Sequence, residues 1–284
     1  MHIDGKTIVL GIIGNPISHT SSPAMHMAAI EALKLNYVYV PFLVQENNLE
    51  NAIAAVRALN IKGLNVTVPY KEKVIPFLDE LDESCKLVGA VNTILNKNGT
   101  LIGYNTDGEG FVYDLTIRNK ISLINKTVSI IGAGGAAKAI IYALLKYNLK
   151  ELILLNRTQT RLDEIKKRLE NRTTVKISYN SLLDLNVNEY LSKSDIIINT
   201  TSLGMEPNIN ESPINDFSFV TSKHLFYDII YRPQLTYFLK QAQDRNAMVL
   251  NGLGMLLSQG VLIFKLFTNS DPPIGVMRNA LLKN

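Results

Sequence analysis

The chain has 284 residues, more than the roughly 250 at which a single hydrophobic core usually stops growing, so two domains are expected. Its 29 basic and 25 acidic residues are spread along the chain for a net charge of +4, with no long basic block of the kind that marks nucleic-acid binding. Cys85 is the only cysteine, which excludes an intrachain disulfide and fits a reducing cytoplasm. Met1 to Gly5 lack the basic and apolar regions of a signal peptide, and no apolar run approaches the ~18 residues of a membrane span.

Ile8 to Ile13 is a β-branched apolar run that meets Gly14-Asn15-Pro16, a strand entering a loop. A helix follows, with Ser21 or Ser22 as its cap, Pro23 in its first turn, and Met25, Ala28, Ala29 and Ala32 as its apolar face. Val38 to Val44 reads as a second strand, Leu49 to Leu59 as a helix with Leu49, Ile53 and Val56 inward, and Gly63 to Val68 as a third strand. This alternation is a βαβ series and predicts a mostly parallel sheet. The pattern then predicts a helix over Tyr70 to Leu78 and strands at Ala90 to Leu95 and Leu101 to Asn105. Asn98-Gly99 supports a hairpin between those strands, so the sheet should carry an antiparallel edge. Glu109 to Asn119 looks like a connecting helix.

Thr127 to Arg161 carries the strongest local signal. Val128, Ile130 and Ile131 form a short strand that runs into Gly132-Ala133-Gly134-Gly135-Ala136-Ala137, and helical spacing continues from Ala139 to Leu145. In a Gly-x-Gly-x-x-Ala turn the first glycine allows the tight bend, the second lets backbone approach a pyrophosphate, and the small last residue lets helix and strand pack closely. The free N–H groups at the helix start would face the phosphates. A second apolar strand, Leu152 to Leu155, completes the βαβ unit that gives this short motif its weight. At the end of that strand an NAD-binding unit places an acidic residue, but here stand Asn156-Arg157-Thr158, with Arg161 one helical turn on. Arg157 and Arg161 suit the 2′-phosphate of NADP, although two ordinary surface arginines would read the same way. Lys166-Lys167-Arg168 falls on the solvated face of a predicted helix.

Further strands are expected at Thr174 to Ile177, Ile196 to Asn199, Leu225 to Tyr227 and Met248 to Leu250, with Pro233 opening a helix through Asp244. Leu253, Leu256, Leu257 and Val261 begin another helix, and Met277, Ala280 and Leu281 mark the last. With no strand of their own to cover, these final helices should return to the first domain. The fold class is then two α/β domains: residues 1–118, completed by 251–284, with a mostly parallel mixed sheet, and residues 119–250, a Rossmann-like dinucleotide-binding domain. The cleft between two such domains is a common place for small-molecule sites. His19 and His26 have no cysteine or acidic cluster beside them, so no metal site is expected.

With Asn65-Val66-Thr67-Val68-Pro69-Tyr70-Lys71 added, the chain resembles the shikimate dehydrogenase family over essentially its whole length. Asn15-Pro16-Ile17 leading to Ser22-Pro23 is similar to the family's first substrate loop, and Gly89-Ala90-Val91-Asn92-Thr93 to its next. Gly103-Tyr104-Asn105-Thr106-Asp107-Gly108 is similar to the segment with the catalytic aspartate, Asn156-Arg157-Thr158 to the NADP signature, and Asn251-Gly252-Leu253-Gly254-Met255-Leu256 with Gln259 to the C-terminal motif. The resemblance implies a cytoplasmic oxidoreductase that reversibly reduces 3-dehydroshikimate to shikimate with NADPH, in aromatic amino-acid biosynthesis. It is compatible with a homodimer and gives no place to nucleic acid or membrane.

The same resemblance implies roles for single residues. Hydride transfer to a ketone carbon leaves an alkoxide that needs a proton, and Lys71 and Asp107 look like the family's acid/base pair. Read alone, they are more simply a lysine at a helix start and an aspartate capping another, and the surrounding motifs reverse that. Thr20, Ser22 and Tyr231 would face the substrate carboxylate, while Thr67, Asn92, Asp107 and Gln259 would bond ring hydroxyls or the ketone. For Ser22 a helix cap and for Asn92 a strand end remain open. Gly132, Ala133, Gly134, Gly135, Ala136, Asn156, Arg157, Thr158 and Arg161 would hold the cofactor; Thr201, Ile229 and Gly252 would flank its nicotinamide, and Glu83 would lie on the cofactor side. Thr20 departs from the serine usual in the family and adds a methyl group against the substrate. That leaves open a quinate/shikimate dehydrogenase of ring-acid catabolism, and a non-catalytic ligand sensor is a third reading that intact Lys71 and Asp107 disfavour.

Overall fold

The computed structural model describes residues 3–283. They form two compact units, one running up to Gly110 and resuming at Leu256, the other continuous from Phe111 to Met255.

The first unit contains β1 (Ile8–Gly14), α1 (Ser22–Ala32), β2 (Tyr37–Leu43), α2 (Leu49–Ala58), β3 (Gly63–Val66), β4 (Glu80–Leu81), α3 (Glu83–Val88), β5 (Thr93–Lys97), β6 (Thr100–Tyr104) and the start of α4 (Asp107–Tyr113). Its six strands lie in the order β2-β1-β3-β5-β6-β4. β5 runs antiparallel to both β3 and β6, so the reversed strand is interior and not at the edge, where it was expected. β4, too short to leave a periodic signal, takes the edge beside β6 instead. Asn98 and Gly99 turn the β5–β6 hairpin with φ of 55° and 90°, the left-handed pair that a two-residue turn needs.

Three other sequence expectations change here. No helix spans Tyr70 to Leu78; the segment makes turns and a short 3₁₀ helix at Ile75–Phe77. Pro76 has no N–H to give to the carbonyl four residues back, and the Ile75 N–H bonds Glu72 O three back at 3.4 Å. The inward face of α1 is Met25, His26, Ala29 and Ile30, with Ala32 exposed, because the polar imidazole is buried by aromatic stacking. Residues 83–88, which carry no long apolar repeat, form α3, capped by Asp82 accepting from Ser84 N–H.

The second unit follows with β7 (Thr127–Ile131), α5 (Gly135–Leu144), β8 (Glu151–Asn156), α6 (Gln159–Leu169), β9 (Ile177–Ser181), α7 (Val187–Ser192), β10 (Ile196–Asn199), β11 (Leu225–Asp228), α8 (Tyr237–Gln243) and β12 (Met248–Asn251). All six strands are parallel, in the order β12-β11-β10-β7-β8-β9. The chain winds one way from β7 to β9 and then the other way from β10, so the order reverses between β7 and β10. In such open sheets ligands sit outside the strand carboxyl ends at that reversal.

Burial follows the two-residue period of each strand. Val128, Ile130, Leu152, Leu154, Ile196 and Ile198 fill one side of the sheet, while Ile131, Ile153, Leu155 and Ile197 fill the other. Each such side chain taken fully from water contributes about 1.5–3 kcal/mol. β9 begins three residues later than Thr174, because its register is set by β8, with Leu152 opposite Ile177. As an edge strand only partly buried it carries Ser178, Asn180 and Ser181, which hid it from the apolar pattern. The helix expected from Pro233 starts at Tyr237, where Thr236 accepts a hydrogen bond from Leu239 N–H at 3.3 Å.

α9 (Leu253–Thr268) and α10 (Ile274–Lys283) complete the first unit. Phe267 packs where a side chain on Gly63 would stand, and Met25 of α1 lies against Gly260. Among the described residues no helix is long and apolar enough to cross a membrane.

Candidate active site and dinucleotide cavity

In the first unit the strand ends and the start of α4 bring polar groups into one network. Lys71 follows the turn after β3, and its carbonyl accepts from Val91 N–H at 2.7 Å, which ties it to the segment entering β5. Its Nζ donates to Asp107 Oδ2 at 2.5 Å. Asp107 opens α4, its own N–H donating to Asn105 Oδ1 at 3.1 Å. The other carboxylate oxygen, Oδ1, accepts from Asn92 Nδ2 at 2.9 Å. Asn92 Oδ1 in turn accepts from Thr93 Oγ1 and from Thr106 N–H, at 2.9 and 3.1 Å. The lysine head is thus held by a carboxylate that is itself held, with the Lys71 side chain 20% exposed and Asp107 only 7%. A half-open ammonium braced in this way can deliver a proton to an oxygen placed beside it.

The network extends to residues the sequence reading did not select. Asn65 Nδ2 donates to Asn92 O and Thr93 Oγ1, and its Oδ1 accepts from Tyr39 Oη at 2.6 Å. The β1 register places Tyr39 and Asn65 on one sheet face, opposite Leu10 and Ile12. Burial pushes the Tyr39 phenol well above its ordinary value, opposed by a hydrogen bond from Ser22, so it stays a donor. Asn65 lies two residues before Thr67, on the same face of an extended segment, a signal that could have added it. Tyr39 offered only the general rule that a buried tyrosine needs a partner.

The remaining candidates lie around this core. Thr20 Oγ1 accepts from Ser22 N–H at 3.3 Å, and no side-chain cap bond is made at the start of α1. Thr67 sits over Gly14, where an added Cβ would come 2.5 Å from its methyl. Gln259 lies against Gly110, one turn along α4 from Asp107, and its amide donates to Leu256 O at 3.0 Å.

In the second unit a cavity of about 690 Å³ opens at the strand ends beside the β7–β10 reversal. Gly132, Ala133 and Gly134, then Asn156, Arg157, Thr158 and Arg161, and Thr200 to Leu203 line it. Gly132 has φ +117°, and a Cβ there would strike Thr200 Oγ1 at 2.3 Å, so the turn requires glycine. Gly134 differs, since a Cβ would meet nothing within 4 Å, and packing does not explain its glycine. It is the residue before α5, whose first free N–H groups follow at Gly135 and Ala136. Among the described residues, Arg157 and Arg161 form no ion pair, and both are exposed. Glycine left bare beside free amides, with two unpaired guanidinium groups further along, fits a pyrophosphate followed by a second phosphate.

Family comparisons cover most of the chain. The shikimate dehydrogenase substrate binding domain matches residues 12–94, the shikimate/quinate 5-dehydrogenase family residues 115–249, and the shikimate 5′-dehydrogenase C-terminal domain residues 252–282. The chain belongs to the shikimate dehydrogenase family. A shikimate dehydrogenase (NADP(+)) of Carboxydothermus hydrogenoformans is 46% identical over 99% of each chain. Another, from Desulforamulus reducens, is 44% identical over 99% of this chain and 97% of the relative. A shikimate dehydrogenase crystallised with NADP+ superimposes with a TM-score of 0.88 at 41% identity, covering 99% of this chain and 97% of that one.

Within this shikimate dehydrogenase fold, four of the expected site residues belong to neither of the two clusters. Glu83 is the exposed first residue of α3 and pairs with Lys86 Nζ at 2.7 Å. Tyr231 is half-buried in the loop after β11. Ile229 and Gly252 touch one another, a Cβ on Gly252 lying 1.9 Å from Ile229 O, but neither lines the cavity.

Proposed function

We propose that this chain is an NADP-dependent shikimate dehydrogenase, reversibly reducing 3-dehydroshikimate to shikimate in the pathway to chorismate and the aromatic amino acids. The observation that carries the proposal is Asp107, which holds Lys71 on one oxygen and Asn92 on the other beside the family's substrate-loop residues. The first unit is the substrate domain and the second the cofactor domain. NADPH, when bound, supplies a hydride to the ketone carbon. Lys71 then gives its proton to the developing alkoxide, and Asp107 stabilises the ammonium and returns a proton to the nitrogen from solvent. Asn92, Thr67 and Gln259 orient the ring hydroxyls, and Thr20, Ser22 and Tyr231 receive the carboxylate. Tyr39, through its bond to Asn65, extends this network across β1.

On the cofactor side, Gly134 with the first amides of α5 takes the pyrophosphate and Arg157 with Arg161 the 2′-phosphate. Thr201, Ile229 and Gly252 flank the nicotinamide. The naming of relatives at 44% and 46% identity as NADP(+) shikimate dehydrogenases supports shikimate over quinate as the preferred acid. Work as a cytoplasmic homodimer completes the reading, with sedimentation of the purified protein as its check. The test of the activity is NADP reduction with shikimate, quinate and no acid, repeated with NAD. Shikimate with NADP should be the fastest pair, and no NADP reduction with shikimate would reject the assignment.

A further inference from the structure

β10 and β11 end side by side in two wholly buried polar residues, Asn199 and Asp228, to which the assignment above gives no role. Asp228 Oδ1 accepts from Asn199 Nδ2 at 3.1 Å and from Ile230 N–H at 3.0 Å, and Oδ2 accepts from Thr236 Oγ1 at 2.7 Å. Asn199 turns the rest of its amide to the loop that follows it. Its Oδ1 accepts from both the N–H and the hydroxyl of Thr201, at 2.9 and 2.8 Å, and its Nδ2 also donates to Leu203 O at 3.3 Å. The Ile229–Ile230 turn is gripped from its other side by Gly252, whose N–H donates to Ile230 O at 3.0 Å.

Among the described residues no cation pairs with the Asp228 carboxylate. Burial pushes it up to about 6, opposed only by the hydrogen bonds of Thr236, Ile230 and Asn199. A lone buried charge is costly, and three donors, Asn199 Nδ2, Ile230 N–H and Thr236 Oγ1, point at this side chain.

We propose that Asp228 is the positioning residue for the nicotinamide end of the cofactor, fixing the Thr201 turn through Asn199 and the Ile229 turn through the Ile230 N–H. One carboxylate thereby sets the spacing of two walls that come from different strands. The proposal rests on the reading of Thr201 and Ile229 as the nicotinamide flank.

The test compares two probes on unmodified protein and Asp228→Asn by calorimetric titration. NADP carries the nicotinamide, whereas adenosine 2′,5′-bisphosphate has the adenine, ribose and 2′-phosphate without it. Asp228→Asn should weaken NADP at least tenfold and lower kcat, while the bisphosphate stays within twofold of its original affinity. Equal weakening of both probes shows a general loosening of the unit and overturns the proposal, as does unchanged NADP affinity. If Asp228→Asn yields no folded protein, Thr236→Val and Thr236→Ser replace it. Valine removes the donor to Oδ2 and serine keeps it, so only valine should weaken NADP selectively; the same result for both variants overturns the proposal. Unmodified protein that binds neither probe overturns the cofactor assignment itself, and this proposal with it.

Discussion

Removing the two guanidinium groups of Arg157 and Arg161 should convert an NADP enzyme into one that barely distinguishes the two cofactors. Both side chains line the cavity of the second unit, and neither forms an ion pair among the described residues, so their truncation orphans no internal carboxylate. A hydrogen bond to a charged group is worth about 1.5–3 kcal/mol when shielded, and exposure at the cavity mouth brings that to about 1–1.5 kcal/mol each. The pair then supplies about 2–3 kcal/mol, or roughly 30- to 150-fold, to a ligand bearing the 2′-phosphate. NAD offers only a hydroxyl at that position and should change by less than about threefold. Initial rates with saturating shikimate, taken for both cofactors at low and high salt, measure this as kcat/KM. The NADP penalty of Arg157→Ala with Arg161→Ala should also shrink as salt rises, because screening has already weakened the contacts in the unmodified enzyme. An equal loss for NADP and NAD would mean that the arginines act on folding or on the shared pyrophosphate, and the reasoning would fail.

Three other outcomes are expected. Lys71→Ala should lower kcat by about 10² or more with a modest change in KM, the usual scale for a general acid/base; a change in KM alone would reduce Lys71 to a binding residue. Shikimate should exceed quinate at least tenfold in kcat/KM, since a buried unpaired hydroxyl costs about 1–3 kcal/mol, and Thr20→Ser should narrow the gap; comparable values in the unmodified protein would refute the steric argument. Burial holds the His26 imidazole down at about 3, against ~6.5 for a free histidine, so its share of stability is complete above pH ~6.5 and is lost as pH falls toward 3. The loss runs at about 1.4 kcal/mol per pH unit in that window, and His26→Leu should flatten the acid side of a urea-unfolding series by that slope. An unchanged slope would show that the imidazole is not buried in its neutral form.

The dinucleotide unit was the most legible part of the sequence. Its four central strands, β8, β7, β10 and β11, are buried on both faces, so apolar runs mark them directly, and β10 falls at Ile196–Asn199 as read. The glycine turn was legible because Gly132 needs a positive φ. Segments whose shape depends on neighbours were read poorly. Tyr70 to Leu78 has helical apolar spacing, yet Tyr70 and Val74 are buried by a turn in which Tyr70 Oη bonds Val44 O at 2.6 Å. β4 exists only because β6 is there to pair with. In the site, the family motifs named Lys71, Asn92 and Asp107, whereas Tyr39 reaches the network across β1 and carries no local motif of its own. Asp228 and Asn199 were missed for a related reason, because an acidic or amide residue ending a strand looks like a loop residue until its donors are seen.

The interrupted course of the first unit bears on how the protein is made. Residues 111–255 are contiguous and can collapse as soon as they leave the ribosome, while the helix that packs against α1, α10, is synthesised only afterwards. Until then the sheet face near Gly63 lacks Phe267, and Met25 and His26 lack the cover of α9. The first unit is therefore a waiting, partly uncovered body during synthesis. A chain cut short after Met255 would keep the contiguous dinucleotide unit attached to an unfinished partner, and should bind cofactor without turning substrate over.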